Sequence, residues 1–410
     1  MSKTMVIGLT PEYIYSDQSN NYAENEKLYS TNHGAAFITQ SIMKIFDGDY
    51  IDINAEHDFV ELRNTYSQCV IATASQLGPS RDLSLLVSFL EKLDIKPFFV
   101  SGGVDAGGKY CINYKLHPSI IRLLEMCSVD DTYIGVRGDL SAFYLHKHGF
   151  NSCAPIGCPT IYSQGLLDYD YSLEARGNET GVPFHWALAA ALMQNNEKYN
   201  YIGQDIFDEE LLKGNAPDTI VSKIANVFGV SKQDASQNLI NSVGSNSTFP
   251  VNYSDWYSLI GNQKRVLSGR LHANICALIQ GVASVLVPWD MRTYELVDYL
   301  CLPHISWDDL KGKNINDVYK DADFQKFNHR IKQCYLNWVS FNEHNGLKIH
   351  TEVDTGNLNP QNITEWKIAN RLLKNITQYK VEEKYTQFRT TGNSAFKNRI
   401  LDFLKNRERI

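Results

Sequence analysis

Charged residues occur at three places where a β-rich run of the sequence passes into a helical pattern. Arg137 follows the first of these runs, and Arg270 and His272 follow the second. Asp290 and Arg292 follow the third. Guanidinium groups match the geometry of carboxylates and phosphates, and the N-terminus of each following helix adds backbone N–H donors. This pattern predicts a binding site for a small anion that carries several negative charges.

The same residues have ordinary structural explanations. Arg270 could form an ion pair with a buried carboxylate, and His272 could cap its helix or lie in the core. Asp139 and Asp290 stand at the start of predicted helices, where aspartate commonly caps the first turn. Because three loops of one kind occur in one chain, a shared site is favoured over several unrelated structural roles.

The composition excludes several classes of protein. The chain has 410 residues, more than a single hydrophobic core usually serves, and 43% of them are apolar. It has 39 Lys and Arg against 46 Asp and Glu, a formal net charge of -7, which argues against a protein that coats nucleic acid. Its eight cysteines are scattered without CxxC pairs, so no metal site is predicted. An anion must therefore be bound by a few dedicated residues.

The sequence offers no segment that would cross a membrane. No eighteen consecutive residues are apolar, and the first residues lack the apolar core and cleavage site of a signal peptide. We therefore expect a cytoplasmic protein. The last fifty residues hold eleven Lys and Arg and five Asp and Glu. A basic amphipathic helix there would allow peripheral contact with the inner face of a membrane, although a helix packed on the protein body is the favoured interpretation.

Short β-rich runs alternate with helical periods along the chain, which predicts an α/β fold with parallel sheets. Residues 1–165 and 166–345 are each expected to form a Rossmann-like domain, with a polar linker over residues 163–182 and a ligand cleft between the domains. Residues 346–410 are predicted to form a basic helical extension. A long helix over residues 323–344 has an apolar face that indicates packing. The predicted strands are 4–9, 50–53, 69–73, 97–101, 132–136, 153–156, 199–204, 266–269 and 284–288, with another near 251, and the other predicted helices are 32–46, 83–93, 140–148, 271–279, 292–300 and one that begins at 254.

The motifs around these residues resemble those of the polysaccharide pyruvyl transferase family. The resemblance rests on GVRGDLSAFYLHKHGF followed by IGCPT, on SGRLHANICALIQGVASVLVPWDMRTYELVDYLCLPHI, and on Asn32-His33-Gly34 at the start of the first helix. It implies a GT-B-like pair of Rossmann-like domains. It also implies phosphoenolpyruvate as the donor and a cyclic pyruvate ketal on a hexose as the product, with no metal and no resident cofactor.

The resemblance assigns roles to individual residues. Arg137 matches the arginine that holds the donor, and His272 matches the family's essential histidine. Arg292 lies where the family places a basic residue near the donor phosphate. Arg270 is a further candidate for substrate binding because of the position of its loop and not because of the resemblance. The remaining candidates are Ser268, Asn32, Asp290 and Asp139.

On this interpretation His272 supplies a proton, either to C3 of phosphoenolpyruvate or to the departing phosphate. Its ordinary pKa of about 6.5 would be raised by neighbouring anions. Asp290 or Asp139 could accept the proton of the acceptor's hydroxyl, and capping is their alternative role. The implied acceptor is a hexose of a cell-surface polysaccharide, such as a capsule, exopolysaccharide or cell-wall glycan, or of a lipid-linked oligosaccharide precursor.

Two loops depart from the family pattern, and both border the acceptor side of the expected cleft. Ala35 stands where members often have aspartate, and the sequence ATASQ at residues 72–76 replaces a glycine cluster. The acceptor sugar is therefore not predicted. A GT-B glycosyltransferase that binds a nucleotide sugar is an alternative, because its fold and cleft would look alike. A non-enzymatic anion-binding or scaffold protein of glycan assembly is a second alternative.

Overall fold

The computed structural model describes most of the chain, including the three charged loops apart from Trp289. The described residues are 3–12, 32–105, 115–164, 168–171, 179–192, 198–205, 208, 216, 218–243, 246–288, 290–310, 313–351 and 366–367. The predicted basic extension over residues 346–410 therefore lies almost entirely outside the described residues. Its helical character and its contact with a membrane stay predictions.

The first unit is built on parallel strands whose carboxyl ends share one edge. The bridge between Gly102 and Val136 is also parallel and joins the main sheet to a two-stranded pair. This geometry puts Arg137, which directly follows that pair's first strand, at the same edge as the other strand ends. The main sheet has the order β2-β1-β3-β4, with strands β1 (Lys3–Ile7), β2 (Gly48–Tyr50), β3 (Tyr66–Ala72) and β4 (Pro97–Val100), and the pair consists of β5 (Ile134–Val136) and β6 (Cys153–Pro155).

Helices fill the connections between these strands. Asn32 caps the first of them, since its Oδ1 accepts the N–H of Gly34 at 2.8 Å. The helix near residue 60 was not predicted, because Leu62 is its only buried residue and its apolar period is weak. The helices of the first unit are α1 (His33–Phe46), α2 (Phe59–Thr65), α3 (Ser84–Leu93), α4 (Pro118–Cys127) and α5 (Asp139–Lys147).

A second parallel sheet follows, with its first strand in the centre. Its order is β11-β10-β7-β8-β9, so that β8 and β9 are added on one side of β7 and the later strands β10 and β11 on the other, as in doubly wound folds. The predicted linker over residues 163–182 is wrong at its end, since it overlaps β7. The four-residue segment TGVP contains glycine and proline and lacks the pattern of a buried strand. The strands are β7 (Thr180–Pro183), β8 (Tyr199–Ile202), β9 (Ser247–Thr248), β10 (Arg265–Ser268) and β11 (Ser284–Leu286).

The helices around the second sheet include the one that carries His272, whose observed bounds, Leu271–Ile279, are those predicted. The fold class is thus α/β with parallel sheets, as predicted. The domain limits at residues 165 and 345 stay predictions. The helices of the second unit are α6 (Trp186–Leu192), α7 (Asp218–Phe228), α8 (Lys232–Ser242), α9 (Tyr253–Gly261), α10 (Leu271–Ile279), α11 (Met291–Leu300), α12 (Trp307–Leu310), α13 (Ile315–Asp321) and α14 (Phe324–Asn345).

The last of these helices, α14, returns to the first unit. The ring of Trp338 lies 5.9 Å from that of Phe46, edge to face. Asn345 accepts the backbone N–H of Tyr133 at 3.0 Å and donates to its carbonyl at 3.1 Å. The predicted packing face is confirmed, because Phe327, Ile331, Tyr335, Trp338 and Phe341 are all buried. Helix α14 therefore joins both units in one hydrophobic core.

Candidate active site

Arg137 holds a buried guanidinium at the carboxyl end of β5. The residue is 2% exposed, and its Nη1 donates to Ser75 Oγ at 3.2 Å. Its Nε and Nη2 are buried and bond nothing in the described part of the chain. Gly103 makes room for it, since a Cβ there would lie 2.6 Å from Arg137 Cδ. Buried N–H groups without an acceptor are costly, so this side chain is suited to an anion that supplies one.

His272 lies in the first turn of α10, on the second unit. Its Nε2 is 3.8 Å from Cys158 Sγ. Burial, and then the positive charges of Arg137 and Arg292, lower its pKa to about 3. The prediction that neighbouring anions raise this pKa is therefore wrong for the protein without a ligand, because the charges around the imidazole are guanidinium groups. The imidazole is therefore neutral at pH 7 in the protein without a ligand.

Arg292 and Asp290 form an ion pair at the start of α11. Arg292 Nε donates to Asp290 Oδ2 at 2.7 Å, and Nη2 contacts the same oxygen. Burial alone would lower the pKa of Arg292, but the Asp290 carboxylate more than offsets this and raises it. Asp290 Oδ1 accepts the N–H of Thr293 at 3.0 Å in a capping box. Asp290 is thus a helix cap, and Arg292 lies close enough to act electrostatically on Arg137 and His272.

Arg270 takes the structural role that the sequence left open. Its Nε donates to the Phe184 carbonyl at 2.8 Å, and its Nη1 and Nη2 lie 3.7 Å and 3.9 Å from the carboxylates of Asp205 and Asp208. Burial raises the pKa of Asp208 to about 7, and Arg270 partly opposes this rise. Ser268 Oγ accepts the N–H of Arg270 and donates to its carbonyl, which holds the loop. The two residues therefore shape the loop before His272.

Asn32 joins the start of α1 to the second unit. Its Nδ2 donates to Asp205 Oδ2 at 3.2 Å, and its Oδ1 accepts Gln204 Nε2 at 3.1 Å. A Cβ on Gly34 would lie 2.7 Å from Gln204 Nε2 and 3.0 Å from His272 Cβ. Only glycine lets the two units approach this closely. Asn32 therefore places the N-terminus of α1 beside His272.

Glu295 is a site residue that the sequence reasoning missed. It is 2% exposed, and its two carboxylate oxygens accept the backbone N–H of Ser141 at 2.7 Å and the Ser141 hydroxyl at 2.9 Å. The carboxylate thus caps α5 from another helix, because the N-cap itself is Gly138. Asp139, predicted as a cap, instead lies in the first turn. Burial raises the pKa of Glu295, and the negative charge of Asp139 adds to the rise. The only sequence signal was the position of Glu295 one turn after Arg292.

A cavity of about 170 Å³ lies at the carboxyl ends of β1 and β3. Both loops that depart from the family pattern line it, through Ala35 and through residues 72–74 and 76. Thr39, a polar lining residue, donates its hydroxyl to the Leu9 carbonyl at 2.6 Å. The other lining residues are Ile7, Gly8, Ile38, Ile53, Ile71, Leu83, Leu86 and Leu123. The cavity therefore presents a mainly apolar surface.

The buried histidines make the protein sensitive to acid. Burial is the main cause that lowers the pKa of His33, His185 and His272 to about 3, whereas each would titrate near 6.5 in the unfolded chain. The unfolded state then binds more protons, so stability is lost as the pH falls from about 6.5 to about 3. At pH 5 the cost is about 2 kcal/mol for each histidine.

Replacing His33 by asparagine should reduce this loss. The difference in free energy of unfolding between pH 7 and pH 5, measured in urea, is expected to be about 2 kcal/mol smaller than in the wild type. The exposed His350 is the control, and His350→Asn should leave the difference unchanged. An identical pH dependence in His33→Asn and the wild type would contradict the prediction.

Three further observations concern the described residues taken together. Within the described residues, no three His, Cys, Asp or Glu side chains lie close enough together to hold a metal ion. None of the helices in the described ranges is long and apolar enough to pass through a membrane. The seven cysteines that the structure describes are free thiols.

Comparison with known families shows the family of this chain. The sequence model of polysaccharide pyruvyl transferases matches residues 32–291, more than half of the chain, and the match includes Arg137 and His272. The chain belongs to the polysaccharide pyruvyl transferase family. As a member, this pyruvyl transferase is a transferase of polysaccharide biosynthesis with a glycan acceptor. A comparison with curated proteins finds no match.

Three of the solved structures that match this chain resemble it only distantly. A UDP-GlcNAc 2-epimerase from Methanocaldococcus jannaschii has a TM-score of 0.39 at 10% identity, over 82% of this chain and 99% of the epimerase. The same organism's epimerase in complex with UDP-GlcNAc and UDP scores 0.37 at 12% identity, over 92% and 100%. An uncharacterized protein from Klebsiella pneumoniae scores 0.36 at 10% identity, over 73% and 88%. Similarity at this level identifies no function.

Proposed function

We propose that this pyruvyl transferase moves the pyruvyl group of phosphoenolpyruvate onto a hexose of a cell-surface glycan or its lipid-linked precursor, and closes a cyclic ketal. The observation that carries the proposal is the buried guanidinium of Arg137, whose Nε and Nη2 bond nothing among the described residues. Phosphoenolpyruvate has a carboxylate and a phosphate, the two groups that a guanidinium fork binds best.

The charges around Arg137 support a donor with several negative charges. Arg292 contributes a second guanidinium that is 41% exposed on its side chain, so it can reach a ligand. Burial, and then the positive charges of the two arginines, keep His272 neutral. When a multiply charged donor offsets their charge, the pKa of His272 rises toward its ordinary value. Donor binding would therefore prepare His272 to carry a proton.

The proposed chemistry has two steps. Protonation of C3 of the donor makes C2 electrophilic, and a sugar hydroxyl attacks C2 while its own proton passes to a base. A second hydroxyl then forms its bond to C2 as the C2–O bond to phosphate breaks, and the proton that this hydroxyl loses leaves on the phosphate. His272 is the proposed acid in one of these steps. Asp290 is the candidate carboxylate that lies near Arg137, although capping and its ion pair already engage it.

The acceptor is proposed to enter from the side of the apolar cavity, because the two loops that differ from the family pattern line it. Polar groups there are partly engaged within the protein, so the cavity suits an apolar face or substituent of a sugar rather than its hydroxyls. Phosphoenolpyruvate is a cytoplasmic metabolite, so the proposal places the reaction in the cytoplasm. The basic segment over residues 346–410 would then be available to the inner membrane face.

Thermal unfolding with candidate donors tests the proposal. A ligand at 100 times its Kd stabilises a protein by about 2.7 kcal/mol. Millimolar phosphoenolpyruvate should raise the unfolding midpoint, whereas UDP-, GDP- and CMP-sugars should not. A rise with a nucleotide sugar alone would overturn the donor assignment and favour a glycosyltransferase.

A second measurement tests the product. With the donor and an extract of glycan acceptors, phosphate release should depend on both substrates, and NMR should show a new ketal methyl group. Phosphate release without a glycan-bound pyruvate would contradict pyruvyl transfer. Inorganic phosphate, added in place of the donor, controls for general anion binding.

A further inference from the structure

We infer that Glu295 is a positioning residue that holds the Arg137 loop of the first unit against the Arg292 helix of the second. The inference rests on the proposed function, since it assigns Glu295 a part in placing Arg137 for the donor. Glu295 contacts neither Nε nor Nη2 of Arg137, which bond nothing among the described residues. It acts through the backbone and through charge.

The contacts of Glu295 bridge the two units. Oε1 accepts the Ser141 N–H at 2.7 Å, and Oε2 accepts the Ser141 hydroxyl at 2.9 Å. The two residues are 154 positions apart in the chain. A cap supplied from α11 thus replaces the side chain that Gly138, the N-cap of α5, lacks. The start of α5 is fixed relative to α11.

The same contacts hold the residue next to Arg137. A Cβ on Gly138 would lie 2.7 Å from Glu295 Cγ, so the backbone after Arg137 packs directly on the Glu295 side chain. Ser141 Oγ also accepts the N–H of Val104, in the loop that makes room for Arg137. Glu295 therefore fixes the backbone next to Arg137, and through that backbone it positions the Arg137 side chain.

The buried carboxylate also sets the local charge. Arg137 just after β5 and Asp139 on α5 act on it, and Arg292 and the N-cap Asp290 act on Arg137 from the start of the helix that carries Glu295. Burial raises the pKa of Glu295 to about 7, and its bonds to Ser141 partly oppose the rise. Its protonation near neutral pH would weaken its role as acceptor for Ser141. A change in pH around 7 should therefore alter how firmly Arg137 is placed.

The test uses Glu295→Ala, Glu295→Gln and Ser141→Ala in the full chain, with steady-state kinetics from pH 5.5 to 8.5. Glu295→Ala should raise the KM for phosphoenolpyruvate at least tenfold, with a smaller fall in kcat. Glu295→Gln keeps one acceptor oxygen and should restore most of the affinity. It should also lack the rise of kcat/KM through about pH 7 that is expected of the wild type. Ser141→Ala removes only the hydroxyl, and its KM for phosphoenolpyruvate should lie between those of Glu295→Ala and Glu295→Gln.

The control is Glu91→Gln, an exposed residue paired with Arg122, which should behave as the wild type. The donor phosphate also ionises near pH 6, but it does so equally in every variant. Unchanged KM and pH profiles in Glu295→Ala and Glu295→Gln would overturn the inference, even if both variants unfold at a lower temperature.

Hydrogen exchange separates this inference from the proposed function. The amides of the first turn of α5 should exchange at least tenfold faster in Glu295→Ala than in the wild type, with no donor present. Equal exchange would overturn the inference whatever the donor is. If exchange is faster in Glu295→Ala but phosphoenolpyruvate does not stabilise the wild type, the role of Glu295 in joining the units would stand. The proposed donor would then be rejected.

Discussion

Replacing Arg137 by methionine should reduce kcat/KM for phosphoenolpyruvate at least a hundredfold, while the protein stays folded. Methionine keeps a long apolar side chain beside Gly103 but removes the donors for the anion. Losing a well-aimed donor costs about 3 to 4 kcal/mol in transition-state binding. The free energy of unfolding should fall by less than about 2 kcal/mol, because two of the buried N–H groups have no partner in the described part of the chain. Phosphate release and urea unfolding measure the two quantities.

Arg265 provides the reciprocal control. It is also buried, but its Nε donates to Thr180 Oγ1 at 2.9 Å and its Nη1 to Asn316 Oδ1 at 2.7 Å. Arg265→Met should therefore lose about 3 to 6 kcal/mol of stability, at about 1.5 to 3 kcal/mol for each of the two hydrogen bonds to its charged group, and keep the response to phosphoenolpyruvate. If Arg137→Met were the variant that unfolds and kept its kcat/KM, Arg137 would be structural.

Replacing His272 by asparagine should separate catalysis from donor binding. General acid catalysis contributes about a hundred- to ten-thousandfold, so kcat should fall within that range. The thermal shift with phosphoenolpyruvate should persist, because Arg137 and Arg292 are unchanged. At saturating donor, the kcat of the wild type should decline as the pH rises above the pKa that His272 acquires in the donor complex. Asparagine cannot titrate, so the residual activity should lack this decline.

His148 is the control for this variant. It lies at the end of α5, where Nδ1 bonds the Tyr144 carbonyl at 2.9 Å. His148→Asn should keep full kcat and the wild-type pH profile. Loss of the thermal shift in His272→Asn with kcat preserved would show that the imidazole binds the donor and carries no proton in the slow step.

Local sequence patterns were sufficient to place the elements that carry the site. Helix α10 is bounded as predicted, since its apolar residues follow a helical period between a strand and a glycine. The place of Arg137 directly after a strand was predicted in the same way, from a β-rich run that precedes a helical period. The strand β7 was missed because its burial comes from the two strands beside it and not from its own sequence pattern.

Roles that depend on distant residues could not be predicted in the same way. Arg137 and Arg270 look alike in sequence, since each follows a strand and precedes a helix. They differ because Asp205 and Asp208, from the end of β8 onward, lie beside Arg270. Glu295 gains its role from Ser141, far away in the chain. Such roles depend on tertiary contacts, and the periodicity and propensity of a sequence do not reveal which distant residues are in contact.

Helix α14 has a consequence for how the protein is made. Trp338 and Phe341 belong to the core that also contains Val6 and Phe37 of the first unit. A nascent chain of the first 165 residues lacks Trp338 and Phe341. The apolar surface that these two side chains cover therefore stays exposed while more than 150 further residues are synthesised. The first unit should therefore reach its final packing late, together with the second, and the two should unfold in one cooperative transition.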